Sequence, residues 1–388
     1  MDSASQRNGT TIARMYLVAM ALFLITITIG ILNGADAVTF NGDQILTHVH
    51  SGTLGWISLA LIASAMWMFG SADSRLALAL EVLIALYIAA FYTGNFALRA
   101  IGGTALLIAI AWVVVWVWRA WSGARSLPGL ALALGLTTFG YGAVIGVLIQ
   151  VERATGTHIF NQDAVGAHAS AMVFSYLILV AMGLIEWRVL GTKGLPKAGL
   201  IQLGALFGGG LLLTFTLLFL DESATQAVGG IYLLVELIAV VLFAVRVVPA
   251  ALRGSIDRHL AASTAFVFVA IGIFLYLVAQ FLAAGDPNAL NFNLIKASDH
   301  AAFIGVITNL VFALILALTA ETRDASPRWL ATLGFLAMNL GLLVFLVGLG
   351  QDSAEIKRLG APTMGVGILI VLYGLARRLW TSAGMSRA

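Results

Sequence analysis

Cysteine is absent from this chain, and charge is scarce: 10% of its 388 residues are Asp, Glu, Lys or Arg, while 61% are hydrophobic. Without cysteine there can be no disulfide, thiolate metal site, iron–sulfur cluster or covalently attached c-type haem. Any metal or cofactor must therefore be held by His, carboxylate or amide groups. Soluble domains carry about 25% charged residues, so polar side chains here are too few to coat a water-facing surface. Strand-type alternation with polar lumen residues is missing as well. So are basic clusters interleaved with aromatics, which argues against a nucleic-acid partner despite the net charge of +3.

In their place are apolar runs of roughly 20 residues, enough to cross about 30 Å of hydrocarbon. A backbone in that solvent must satisfy its own hydrogen bonds, so runs of this kind are helices. Hydropathy places twelve of them, at roughly 13–33, 46–70, 76–94, 103–122, 127–151, 164–188, 198–220, 228–249, 260–284, 300–320, 327–350 and 361–381. The first starts near Ala13 without a small-residue cleavage site and reads as a retained span. The expected fold is an all-α polytopic membrane protein, one transmembrane domain over 1–388, whose partner is the lipid bilayer.

Alternating sides along these spans, sixteen of the 21 Lys and Arg fall on the side of the N-terminus. That set includes Arg7, Lys193, Arg323 and Arg387; only Arg99, Arg153, Lys296, Lys357 and Arg358 fall on the other. The positive-inside bias puts both termini in the cytoplasm of a bacterial-type inner membrane.

A pattern recurs before spans 2, 6 and 10. Phe40-Asn41 leads to His48, Phe160-Asn161 to His168 and Phe292-Asn293 to His300, each reading F-N-x6-H. The histidines are 120 and 132 residues apart, four spans each time. Arg119, Arg246 and Arg377 likewise close spans 4, 8 and 12. The chain reads as three pseudo-repeated four-helix units, roughly 1–125, 126–255 and 256–388.

Four of the six histidines, His48, His50, His168 and His300, therefore lie at the outer ends of apolar helices. An ionisable group in a bilayer helix is costly unless paired, and recurrence favours a functional role over helix capping. Neutral imidazole ligates Fe, Cu or Zn through one nitrogen while the other donates to a supporting group. Thr47 and Asp299, beside His48 and His300, are such supports or N-caps, with capping favoured. Residues two apart on an α-helix point about 200° apart, so His48 and His50 face two different cavities. His158 and His259 fall outside the pattern and read as interfacial. Glu236, deep in span 8, reads either as a proton-handling group or as a carboxyl bonded between helices. Glu81 and Glu186 are expected to snorkel toward the inner interface, and Asn339 and Gln280 to join helices. The run Gly208-Gly209-Gly210 leaves room for a flat cofactor or merely permits packing.

Twelve spans, both termini inside and His at the outer ends of spans 2, 6 and 10 resemble subunit I of the haem-copper oxidase superfamily. The stretches 47–56 (THVHSGTLGW) and 299–305 (DHAAFIG) carry the resemblance best. It implies a low-spin haem b held by His48 or His50 together with His300, and places His168 where the family has a copper ligand. It also implies haem propionates held by Lys357-Arg358 in the loop before span 12. The chain departs from the family in having no His in span 7, in carrying its H-x-H on span 2 rather than span 10, and in having Met172 where some oxidases place a tyrosine. The usual copper site is therefore absent, and oxygen reduction by the usual route is not expected.

The leading expectation is two bis-His haems b near the outer side. One of His48 and His50 would pair with His300 and the other with His168. The protein would transfer electrons from a donor protein or quinol, or bind or reduce a small gas such as nitric oxide or oxygen; any enzyme activity would be that of an oxidoreductase. A second reading converges His48, His168 and His300 on one copper or zinc, as in the similar copper- and haem-containing nitric oxide response proteins. A transporter is the third.

Overall fold

The computed structural model describes residues 3–160, 162–191, 194–284, 291–322 and 327–382. Asn161 of the second Phe-Asn pair and Lys193, Arg323 and Arg387 of the basic set lie outside the described residues, as does the side chain of Arg7.

Among the described residues there are twelve helices long and apolar enough to cross a membrane, and no strand. They are α1 (Asn8–Gly34), α2 (Gly42–Phe69), α3 (Ser74–Tyr92), α4 (Phe96–Ala124), α5 (Leu127–Thr155), α6 (Ala164–Leu190), α7 (Lys197–Phe219), α8 (Ser223–Arg253), α9 (Arg258–Ala284), α10 (Phe292–Leu318), α11 (Arg328–Gly350) and α12 (Ala354–Ser382). Several helices begin earlier than hydropathy indicates, because a polar first turn lowers the window average without ending the helix. The largest differences are at α4, α10 and α12.

The ends are set by capping chemistry. Asn41 accepts from Gln44 N–H while the Gln44 side chain accepts from Asn41 N–H, a reciprocal capping box at α2. Asp73, Asn95, Ser126, Asp163 and Asn291 each accept a first-turn N–H of the helix that follows. Asp221, outside the spans, does the same for α8. The N–H of Ala224, then the Ser223 hydroxyl, hold its carboxyl below the ordinary range.

The chain forms two compact units. The first comprises Met1–Gly94, Arg258–Ser263 and Phe303–Ala388; the second, Asn95–Asp257 and Thr264–Ala302. In the first, α11 and α12 meet backbone to backbone. A Cβ on Gly348 would lie 2.8 Å from Lys357 N, and one on Gly360 2.5 Å from Phe345 N. Small residues give this close approach in membranes, where helix association depends on packing rather than on water exclusion. Trp56 is fully buried there, stacked on Phe23 at 4.8 Å and donating its indole N–H to Thr308.

In the second unit, α6, α7 and α8 are joined by a polar clamp. Arg246 donates to both carboxylate oxygens of Glu186 at 3.0 Å and to Gln202 at 2.5 Å, and Gln202 donates back to Glu186 at 2.8 Å. Glu186 is 1% exposed. Glu81, in the first unit, is 6% exposed and paired with Arg14 at 3.1 Å. Both were expected to snorkel; instead each is buried against a guanidinium that neutralises it.

α2, α6 and α10 are the most enclosed helices. In each, 78% of the most apolar stretch is buried, against 28–56% in the others. These are the three that carry the candidate histidines.

Candidate functional site

α2, α6 and α10 share a construction that no other described helix has. Each starts as regular α-helix, passes through a π-helical segment and returns to α. The π segments run Ser51–Ser58, Ala171–Leu177 and Ala301–Thr308. In them the N–H reaches the carbonyl five residues back, as from Leu59 to Leu54 and from Ile178 to Val173. Hydroxyls reinforce the wider turn: Ser58, Ser175 and Thr308 each donate to the carbonyl five residues earlier. Stretches of π-helix are rare and concentrate at functional sites.

The π segments change the register in which the histidines correspond. His48 and His168 each lie three residues before a π segment, whereas His50 and His300 each lie one before. With the N-caps Asn41 and Asn291 equated, α10 follows α2 at a constant offset of 250 residues. That offset pairs Ile45 with Ile295, His50 with His300, Gly55 with Gly305 and Ser58 with Thr308. His300 thus corresponds to His50, not to His48 as F-N-x6-H implies. The third Phe-Asn pair stands one residue past the cap instead of containing it.

Hydrogen bonding sorts the rings in the same way. His48 Nδ1 lies 2.9 Å from the carbonyl of Thr26 on α1, and His168 Nδ1 2.8 Å from that of Gly142 on α5. Both rings lean on the preceding helix, where glycine leaves the space. A Cβ on Gly30 would meet His48 Cε1 at 3.0 Å, and one on Gly146 would meet His168 Cε1 at 2.7 Å. Ser298, at the equivalent place on α10, likewise donates to Ala270 of α9 at 2.8 Å. His50 Nδ1 and His300 Nδ1 instead bond the carbonyls of Leu46 and Lys296, four residues back in their own helices, at 2.8 and 2.7 Å. A carbonyl only accepts, so all four rings carry their proton on Nδ1, leaving Nε2 as the nitrogen with a lone pair.

His48 and His50 diverge as their spacing requires. His48 faces α1, while His50 stacks on Phe91 of α3 at 3.7 Å with Tyr87 edge-on. Both belong to the first unit; His168 and His300 belong to the second. All four are half-buried. His48, His50 and His300 also lie further inside their helices than expected, while His168 sits four residues in, as the sequence places it. His300 is eight residues from the start of α10, about 12 Å at 1.5 Å per residue.

Several supporting roles differ from expectation. Thr47 bonds its own helix at Asp43 O, and the caps are Asn41 and Asn291, so neither Thr47 nor Asp299 caps a helix. Lys357 and Arg358 lie in the first turn of α12 rather than in a loop. Each is already paired, Lys357 with Asp352 at 3.0 Å and Arg358 with Asp36 at 2.8 Å. Among the described residues, no three or more His, Asp or Glu side chains are grouped to hold a metal ion, so a three-histidine copper or zinc centre gains no support. Of the glycine run in α7, Gly209 and Gly210 serve packing, against Glu236 and Ser175, while Gly208 borders open space.

His259 is the polar residue that sequence reasoning misplaced. It is 2% exposed, between the rings of Phe312 and Phe335, with Nδ1 2.9 Å from Asn309 Oδ1. Asn309 in turn donates to Asn339 Oδ1 at 2.8 Å and to Gly305 O at 3.0 Å, inside the π segment. Asn339 thus joins helices as expected. The available signal was Asn309, a full amide in a run otherwise without polar side chains beyond Thr308. Alanine at Asn309 strips His259 and Asn339 of buried partners and should cost about 1–3 kcal/mol. A lower melting temperature in detergent would register it; an unchanged one would show that the network does not stabilise the fold.

No family model and no curated protein matches the chain.

Proposed function

We propose that this is a haem-b-binding membrane protein in which His48, His50, His168 and His300 supply axial ligands to one or two haems. The observation that carries the reading is the shared state of the four imidazoles, each with Nδ1–H committed to a backbone carbonyl and Nε2 carrying the lone pair. This is how proteins prepare a neutral histidine for metal: the carbonyl sets tautomer and ring orientation and raises the basicity of the ligating nitrogen. Cysteine is absent, so the haem would be of the non-covalent b type. When bound, haem supplies one-electron chemistry and, if an axial bond opens, a site for a small gas.

The chain's own contributions are ring orientation by Thr26 O, Gly142 O, Leu46 O and Lys296 O, and exclusion of water by the three most enclosed helices. Lys357 and Arg358 would meet propionates only by sharing with Asp352 and Asp36. Topology akin to subunit I of the haem-copper oxidases supports the reading, as does the outward placement of the histidines by positive-inside bias. The electron donor would be a quinol or a donor protein approaching from that side.

Haem extraction as the pyridine complex, with iron and copper quantification, tests the proposal. It predicts haem b with one to two irons per chain and no copper; copper or zinc without haem would overturn it. A finer expectation concerns Gly146. Its replacement by Ala puts a methyl 2.7 Å from His168 Cε1 and must tilt that ring. One haem absorbance component should shift while the other keeps its position. An unmoved spectrum would remove His168 from the ligand set.

A further inference from the structure

Among the described residues three carboxylates are buried in the apolar helices, Glu81, Glu186 and Glu236. Arg14 and Arg246 answer the first two. Glu236 is 3% exposed, has no cation paired with it among the described residues, and its Oε1 has no hydrogen-bond partner. It lies 13 residues inside α8, about 20 Å from the helix start. The oxygen faces bare backbone: a Cβ on Gly209 of α7 would come within 2.9 Å of it. Tyr232, one turn earlier on the same face, is buried beside it, with Phe274 of α9 edge-on.

Across the same glycine run, Gly210 lies against Ser175. There the hydroxyls of Thr138, Ser175 and Thr214 gather around that of Tyr141, which has none of them in hydrogen-bonding geometry. Those three donate to Leu134 O, Ser170 O and Gly210 O, so each oxygen keeps its lone pairs as acceptors.

A bare carboxylate in such surroundings costs several kcal/mol. A carboxyl placed to join helices would bond across to a neighbouring helix, and Oε1 makes no such bond among the described residues. We propose that Glu236 is a proton-binding site inside the membrane: a proton adds to the carboxylate to give the neutral acid and leaves again to the aqueous phase, with no electron transferred. Tyr232 is the titratable group facing it. The hydroxyls around Tyr141 form a polar neighbourhood across the glycine run of α7. This role is independent of iron ligation and does not rest on it.

Dicyclohexylcarbodiimide tests it on the purified full-length protein. The carbodiimide adds to a neutral carboxylic acid in an apolar setting and rearranges to a stable N-acylurea, retaining every atom of both reactants. Peptide mapping should find the adduct on Glu236 and not on ion-paired Glu186. As pH rises past the midpoint, the yield should fall about tenfold per unit. The adduct should vanish in Glu236→Gln; if that variant does not fold, the wild-type pH profile decides alone. Three results would overturn the proposal: no adduct, an adduct whose yield ignores pH, as from a permanently neutral structural carboxyl, or protection by sodium at constant pH, as from a cation site. Haem content measured on the same sample keeps this outcome separate from that of the haem reading.

Discussion

Replacing His168 by alanine is expected to take one haem out of the purified protein and leave the other in place. The ring meets α5 at Gly142 O and in the space left by Gly146, so its removal opens a small gap without orphaning a charge. The loss of a few packing contacts and one hydrogen bond of about 1 kcal/mol is tolerable to the fold. Losing one of two axial ligands is not tolerable to a b-type haem held by no covalent bond. Alanine at His300 should remove the other haem, and the double variant should be colourless while still eluting as a folded species. If either single variant kept both haems at wild-type stoichiometry, that histidine would be no ligand. If either lost both while remaining folded, the two haems would not have separate ligand pairs.

The second large effect concerns the clamp on α6, α7 and α8. Glu186→Ala should destabilise the protein by about 3–5 kcal/mol, because it leaves the Arg246 guanidinium buried without its counter-charge. The pair is bidentate at 3.0 Å with both side chains well buried, so solvent screening offers little relief. Gln202 would keep a single hydrogen bond to Arg246 and cannot replace a charge. Chemical unfolding in detergent measures the loss; the double variant Glu186→Ala, Arg246→Leu should recover most of it. A single variant as stable as the parent would show that Arg246 reaches solvent or lipid headgroups when released.

Much of this architecture is legible in the residues themselves. Twelve apolar runs become twelve long helices, because nothing else in hydrocarbon satisfies the backbone. His48 and His50 point apart because two residues are about 200° on an α-helix. What escaped the sequence depended on geometry that residue spacing does not encode. The F-N-x6-H pattern equates His300 with His48, whereas the cap at Asn291 and the π segment after His300 equate it with His50. Composition alone does not announce a π segment, since 301–308 reads as an ordinary apolar helix. The partners of Glu186 and Arg358 are 60 and 322 residues away, so no local pattern discloses that these charges are already neutralised, whereas Lys357 pairs with Asp352 only five residues before it. His259 looked interfacial because it stands one residue from the helix start; Phe312 on α10 and Phe335 on α11 bury it.

The most direct test of the central claim is the reduced-minus-oxidised visible spectrum of the purified protein, read beside a variant in which His48, His50, His168 and His300 are all alanine. The account predicts a b-type α band in the parent, split where two haems differ in their ligands, and none in the variant. A parent without any haem band, or a variant that keeps it, would contradict the assignment of these four imidazoles as iron ligands.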